Sequence, residues 1–164
     1  QAGIEAYPES AQRGLKLFIG EGRCNLCHLG SKFTSGEFAD VGISSFGTDT
    51  GRFHGIERLG ANPFNLLGKY NDGDPQQNAV GTRQLKATQR NRGEFRIPGL
   101  RGVALTAPYM HDGSLDTLRD VVLHYSELDV ERLHAVDQGL LRPLKLSASE
   151  VDDLVRFLES LGSE

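Results

Sequence analysis

Cys24, Asn25, Leu26, Cys27 and His28 form a C-x-x-C-H pentapeptide that uses both cysteines of a 164-residue chain. Two thiols at this spacing can each add to a vinyl group of a haem. The imidazole that follows then falls where it can ligate the iron. Other chemistries of a C-x-x-C pair need context that the chain lacks. A redox dithiol belongs in a βαβ pattern, and a tetrahedral zinc site needs a second ligand pair. The five histidines stand at 28, 54, 111, 124 and 134, and the last four complete neither an H-x-x-x-H nor a second C-x-x-C group. The chain is therefore expected to carry one covalent haem c on Cys24 and Cys27, with His28 as the first axial ligand.

Length and charge narrow the setting. A chain of 164 residues suits a single domain, residues 1–164, with its own core. Its net charge is −4, from 18 basic and 22 acidic residues, with no basic run and no basic patch interleaved with aromatics, so a nucleic-acid partner is not expected. No apolar stretch approaches the ~18 residues of a membrane span. The sequence opens at Gln1 without an initiator Met or an apolar leader, as a processed or excised segment would. Thioether attachment of haem belongs to exported compartments, so a periplasmic location is expected.

The elements that must position the motif are helical at the two ends. Ser10 can cap a helix whose apolar stripe is Leu15, Phe18 and Ile19 and which Gly20-Glu21-Gly22 ends just before Cys24. Gly14 in that helix would let another helix approach closely. The best partner is at the other terminus, where Ser147-Ala148-Ser149-Glu150 reads as a capping box and Val151, Leu154, Val155, Leu158 and Leu161 share a face. A third helix is expected from Thr117, with Asp120 at its third position and Leu118, Val121, Val122 and Tyr125 along it. Between them, from about Phe33 to Arg96, the chain is rich in Gly, Asn, Asp and Thr and shows no sustained period. So long a stretch is expected to wrap a ligand or face another domain. The expected fold is all-α: a cytochrome c-like helical domain wrapped around one covalent haem, with long loops.

The second face of the iron has several candidate donors. Met110, the sole methionine, would raise the reduction potential and suit an electron carrier. Tyr125, His111, His124 and His54 are the others, and the stretch from 109 to 125 is where donor atoms and an apolar helix coincide.

The stretch from Arg96 through Pro98, Leu100-Arg101, Thr106, Pro108-Tyr109 and His111-Asp112-Gly113-Ser114 resembles the second, C-terminal haem domain of the bacterial dihaem cytochrome c peroxidase/MauG family. Ala11 to Phe18, Phe33-Thr34, Phe38 to Gly42 and the closing Val151 to Leu161 segment are similar to the same domain. The likeness covers roughly residues 10–47 and 94–161.

The resemblance implies an axial ligand on the helix after the Y-x-H-D-G motif, 14 positions beyond its histidine. Counting from His111 this is Tyr125, since 125 − 111 = 14. The peroxidases carry methionine there and MauG a tyrosine, so the chain follows the MauG pattern. Met110 then takes a variable position of the motif and packs near the haem edge. Arg96 and Arg101 suit bidentate pairing with haem propionates. His111 would donate to a propionate or hold the loop, while Asp112-Gly113 makes a turn. Glu94 and His54 are weak acid/base candidates, so peroxidase activity is not assigned to this chain alone.

The expected function is a haem redox domain held by His28 and Tyr125. The alternative is a monohaem electron carrier with Met110 as sixth ligand and no substrate chemistry. With a single C-x-x-C-H, the expected partner is a redox protein or a second haem domain. Calcium binds between domains in this family, but the chain has no D-x-[DN]-x-[DN]-G loop to support it.

Overall fold

The computed structural model describes residues 7–43, 49–134 and 140–162. They fall into two compact units, one comprising Gln1–Glu37, Arg96–Val130 and Gly139–Glu164, the other Phe38–Phe95 and Glu131–Gln138. Helices dominate, with little sheet.

The first unit is built from the two ends of the sequence. Helix α1, Glu9–Ile19, starts at Pro8 and not at the expected Ser10 cap. Pro8 has the φ a helix start needs, its carbonyl accepts from the Gln12 amide at 2.9 Å, and Glu9 places an acid in the first turn. Ala11, Gly14 and Phe18 form its buried face, whereas Ile19 is 56% exposed.

Gly14 lies against the carbonyl of Asp153 on the closing helix, so close that the two backbones touch. That helix, Ala148–Glu159, carries the expected capping box. Ser147 accepts from the Glu150 amide, and the Glu150 carboxylate accepts from the Ser147 amide at 2.8 Å. It buries Val151, Leu154, Phe157 and Leu158, and Leu161 follows beyond its end. Beside Gly14, Arg13 grips Asp153 with Nε and a terminal nitrogen, each 2.7 Å from a carboxylate oxygen. Those hydrogen bonds hold the Asp153 carboxyl below its usual range, outweighing the opposing effect of burial.

The third helix of this unit, Leu118–Ser126, also starts where expected. Thr117 accepts from the Asp120 amide, and the Asp120 carboxylate accepts from the Thr117 amide at 3.0 Å. Leu118 and Val122 reach the core formed by Phe18, Val151, Leu154, Phe157, Leu158 and Leu161. Past its end, the Ser126 hydroxyl accepts from the Leu146 amide at 2.8 Å, and the Tyr125 carbonyl accepts from the Leu144 amide at 3.2 Å. This helix positions Tyr125, so its start matters to the site. Thr117→Ala should lower the stability of the chain by about 1 kcal/mol, the usual worth of an N-cap side chain, as measured by urea unfolding.

The second unit departs from the expected absence of regular structure. It contains helix α2, Arg52–Ala61, and two short helices, α3 at Pro75–Asn78 and α4 at Val80–Gln84; the helices of the first unit after α1 are accordingly α5, Leu118–Ser126, and α6, Ala148–Glu159. Strands β1, Phe38–Asp40, and β2, Glu94–Arg96, pair in a two-stranded sheet, a small addition to the mostly helical fold expected. Helix α2 buries only Ile56, so its sequence carries no apolar period to read. Glu94 is buried here, accepting from Arg52 at 3.2 Å and Asn91 at 2.9 Å, and His134 stands 3.1 Å from the Asp40 carboxylate.

Candidate functional site

The C-x-x-C-H motif sits on a single 3-10 turn, Cys24–Leu26, that follows the end of α1. In a 3-10 turn, side chains three apart eclipse one another. The two cysteines therefore stack on one face, with the Cys27 amide on the Cys24 carbonyl at 3.2 Å and the His28 amide on the same carbonyl at 2.8 Å. Cys24 packs against the core of the first unit. Burial pushes its thiol up to about 11, so it is protonated at neutral pH.

His28 is oriented by the loop that follows. Its Nδ1 lies 3.0 Å from the Phe33 carbonyl oxygen and donates to it. With Nδ1 as the donor, Nε2 is the nitrogen that carries the lone pair in the neutral ring, as a metal-ligating histidine requires. Burial lowers the pKa of the ring, against the opposing pull of the Phe33 and Pro98 carbonyls, and so favours the neutral, ligating form.

Tyr125 meets this motif from α5. Burial raises its phenol well above the ordinary tyrosine value, and Cys24 and Cys27 add to the rise, so the phenol oxygen lies within electrostatic reach of both sulfurs. That oxygen makes no hydrogen bond among the described residues. Tyr125 is half-buried, and a shielded phenol without a protein partner is one that water or a bound group would satisfy. The His124 ring stands edge-on to Tyr125, with centroids 5.3 Å apart. Two thiols, an imidazole oriented through Nδ1 and a phenol without a protein partner belong to one unit, and this donor set fits a covalently held haem iron.

The other residues expected at the site are placed as follows. Arg101 donates through Nε to the Ser31 carbonyl at 2.9 Å, and its guanidinium lies 5.1 Å from the Phe33 ring centroid. Arg96 is exposed, at the end of β2. Met110 is half-buried, with a left-handed backbone (φ +69°), and its carbonyl accepts from the Gly113 amide at 3.4 Å. His111 is exposed beside Asp112, whose carboxylate accepts from the Ser114 amide at 3.0 Å in the expected turn. Tyr109, next to the cis Ala107–Pro108 bond, donates to the Val103 carbonyl at 3.1 Å. Glu94, His54 and His134 belong to the second unit. Sequence reasoning missed the Phe33 and Pro98 carbonyls, since a backbone acceptor carries no residue signature.

No protein-family profile matches the chain. It is 32% identical over 159 residues to the methylamine utilization protein MauG of Methylorubrum extorquens, covering 97% of this chain and 36% of that protein. It is 31% identical to a cytochrome-c peroxidase of Pseudomonas sp. (strain SCT), covering 96% of this chain and 41% of that protein. The crystal structure of a MauG-like protein associated with microbial copper homeostasis superposes with a TM-score of 0.61 at 31% identity, over 97% of this chain and 45% of that one.

The chain is a member of the MauG/cytochrome c peroxidase family.

It spans about two fifths of the length of these curated relatives. The MauG/peroxidase likeness runs through both units, the second included, although its sequence reads as irregular. In the MauG/peroxidase chain described here, no helix among the described residues is long and apolar enough to cross a membrane, and no group of three or more His, Cys, Asp or Glu side chains forms a further metal site.

Proposed function

We propose that the chain is a c-type haem redox domain of the MauG/peroxidase type, with one haem joined through Cys24 and Cys27 and its iron held between His28 and Tyr125. The observation that carries this reading is the C-x-x-C-H turn itself, whose His28 is oriented through Nδ1 by the Phe33 carbonyl. When bound, the haem supplies reversible one-electron chemistry. Phe33 fixes the His28 tautomer through the Nδ1 bond, and Nε2 is the nitrogen that would ligate the iron. Tyr125 would bind as the phenolate, and the positive charge of ferric iron would offset the cost of burying that anion. A hard phenolate oxygen favours the ferric state and a low potential. Met110, the alternative donor, serves in this reading as a turn residue near the haem edge. Arg96, Arg101 and His111 are the groups that would pair with the propionates.

The partner in this reading is a second haem domain or a separate redox protein, and the compartment is the periplasm, where thioether attachment takes place. No substrate chemistry is assigned to the chain alone.

The test is covalent attachment. Expressed with a haem-maturation system, the denatured chain should keep its haem through reversed-phase separation and show the added mass. The Cys24→Ala/Cys27→Ala double variant should lose the covalent haem entirely. Wild-type chain that releases all its haem on denaturation would overturn the reading. A ferric methionine-to-iron charge-transfer band would replace Tyr125 by Met110.

A further inference from the structure

Phe33 has a left-handed backbone (φ +52°), which is uncommon for any residue other than glycine and an outlier for a bulky one. Glycine is the residue such a position favours, so its occupation by phenylalanine indicates that the ring is needed. Its surroundings say for what. The ring stands edge-on to Phe18, with centroids 6.0 Å apart, and to Phe157 at 6.3 Å, while those two lie 4.9 Å from each other. Phe18 belongs to α1 and Phe157 to α6, and both are 2% exposed. The Arg101 guanidinium covers the ring from outside.

The backbone around Phe33 is pinned as well. The Phe33 amide donates to Gly30 at 3.1 Å, the Thr34 amide to Leu29 at 3.0 Å, and the Ser35 amide back to Cys27 at 2.8 Å. The Thr34 hydroxyl donates to the Ile97 carbonyl at 2.6 Å. The strained peptide that results presents its carbonyl to His28 Nδ1.

We infer that Phe33 is a positioning residue: its ring, packed edge-on against the Phe18–Phe157 contact of α1 and α6 and covered by Arg101, holds the carbonyl that accepts from His28 Nδ1, and so couples the packing of the two helices to the electronic character of the axial ligand. The inference rests on the haem reading for its redox consequence. A firm Nδ1–H···O bond makes the imidazole a stronger donor and lowers the reduction potential, and a loosened one raises it. Stored strain that the surroundings over-determine is the way such a device is built.

The test uses the haem-loaded chain and four variants. Phe33→Gly removes the ring but suits the left-handed backbone. It should raise the potential and speed solvent exchange of the His28 Nδ1 proton, followed by nitrogen-15 NMR. Phe33→Tyr keeps the ring and should restore both readings to wild-type values. Phe157→Leu loosens the same aromatic cluster from α6, and should lower the melting temperature with a smaller change in potential than Phe33→Gly. Should Phe33→Gly fail to fold, Phe33→Leu takes its place, with shifts in the same direction. The inference is overturned if the glycine or leucine variant melts lower yet keeps the wild-type potential and proton exchange. A wild-type chain without covalent haem would sink the haem reading alone, since the Nδ1 proton can be followed on the chain as purified.

Discussion

Gly14→Val should destabilise the chain by about 3 kcal/mol, the upper part of the range for overpacking a filled contact. A Cβ at position 14 would fall on the Asp153 carbonyl oxygen and come within 2.7 Å of the Phe157 Cβ. Backbone cannot yield to it as the tip of a flexible side chain would, so α1 and α6 must separate. Their separation would open the Phe18–Phe157 contact and lengthen the Arg13–Asp153 hydrogen bonds. For a chain of this size the loss corresponds to a melting-temperature drop of roughly 6–12 °C, read by calorimetry. An unchanged melting temperature would mean that the two helices are not in backbone contact.

Tyr125→Phe should raise the reduction potential of the haem-loaded chain by on the order of 0.1 V, within the ~0.8 V over which axial ligands tune haem iron. The substitution keeps the ring, and with it the packing of α5, but removes the one anionic oxygen that the proposed site offers the ferric state. It should also abolish the phenolate-to-iron charge-transfer band. Both readings separate ligation from packing, because a purely structural tyrosine would leave spectrum and potential unmoved. Met110→Leu is the matched control and should leave both unchanged.

How much of this was legible in the sequence depends on whether a feature is carried by side-chain identity. The C-x-x-C-H motif stands out in the sequence because the thioether chemistry proposed for it would dictate which residues stand at which spacing. Helices α5 and α6 were readable because Thr117–Asp120 and Ser147–Glu150 announce their starts and the apolar period continues behind them. Gly14 was readable as a point of close approach, and its contact proved to be Asp153. The start of α1 was misread by a residue or two because Ser10 is a good cap, yet Pro8 begins a helix without a side-chain cap at all. Helix α2 was missed because one buried residue, Ile56, makes no period. The short sheet escaped because two strands of three residues each leave no alternation to detect. The acceptor for His28 could not be read at all, since any residue at position 33 would have brought a carbonyl.

Arg13 and Asp153 are 140 positions apart in the chain, and the contact between α1 and α6 closes a loop of that length. Closing it costs roughly 4 kcal/mol of chain entropy before any contact compensates for it. The unit that holds the cysteines therefore has high contact order, and its assembly is expected to be slow compared with that of a bundle of sequence neighbours. While the chain folds, Cys24, Cys27 and His28 stay uncovered until α6 docks on Phe18. Until then the motif is an open tether, accessible to whatever attaches the cofactor, and only the docking of α6 on α1 shuts the fold around it.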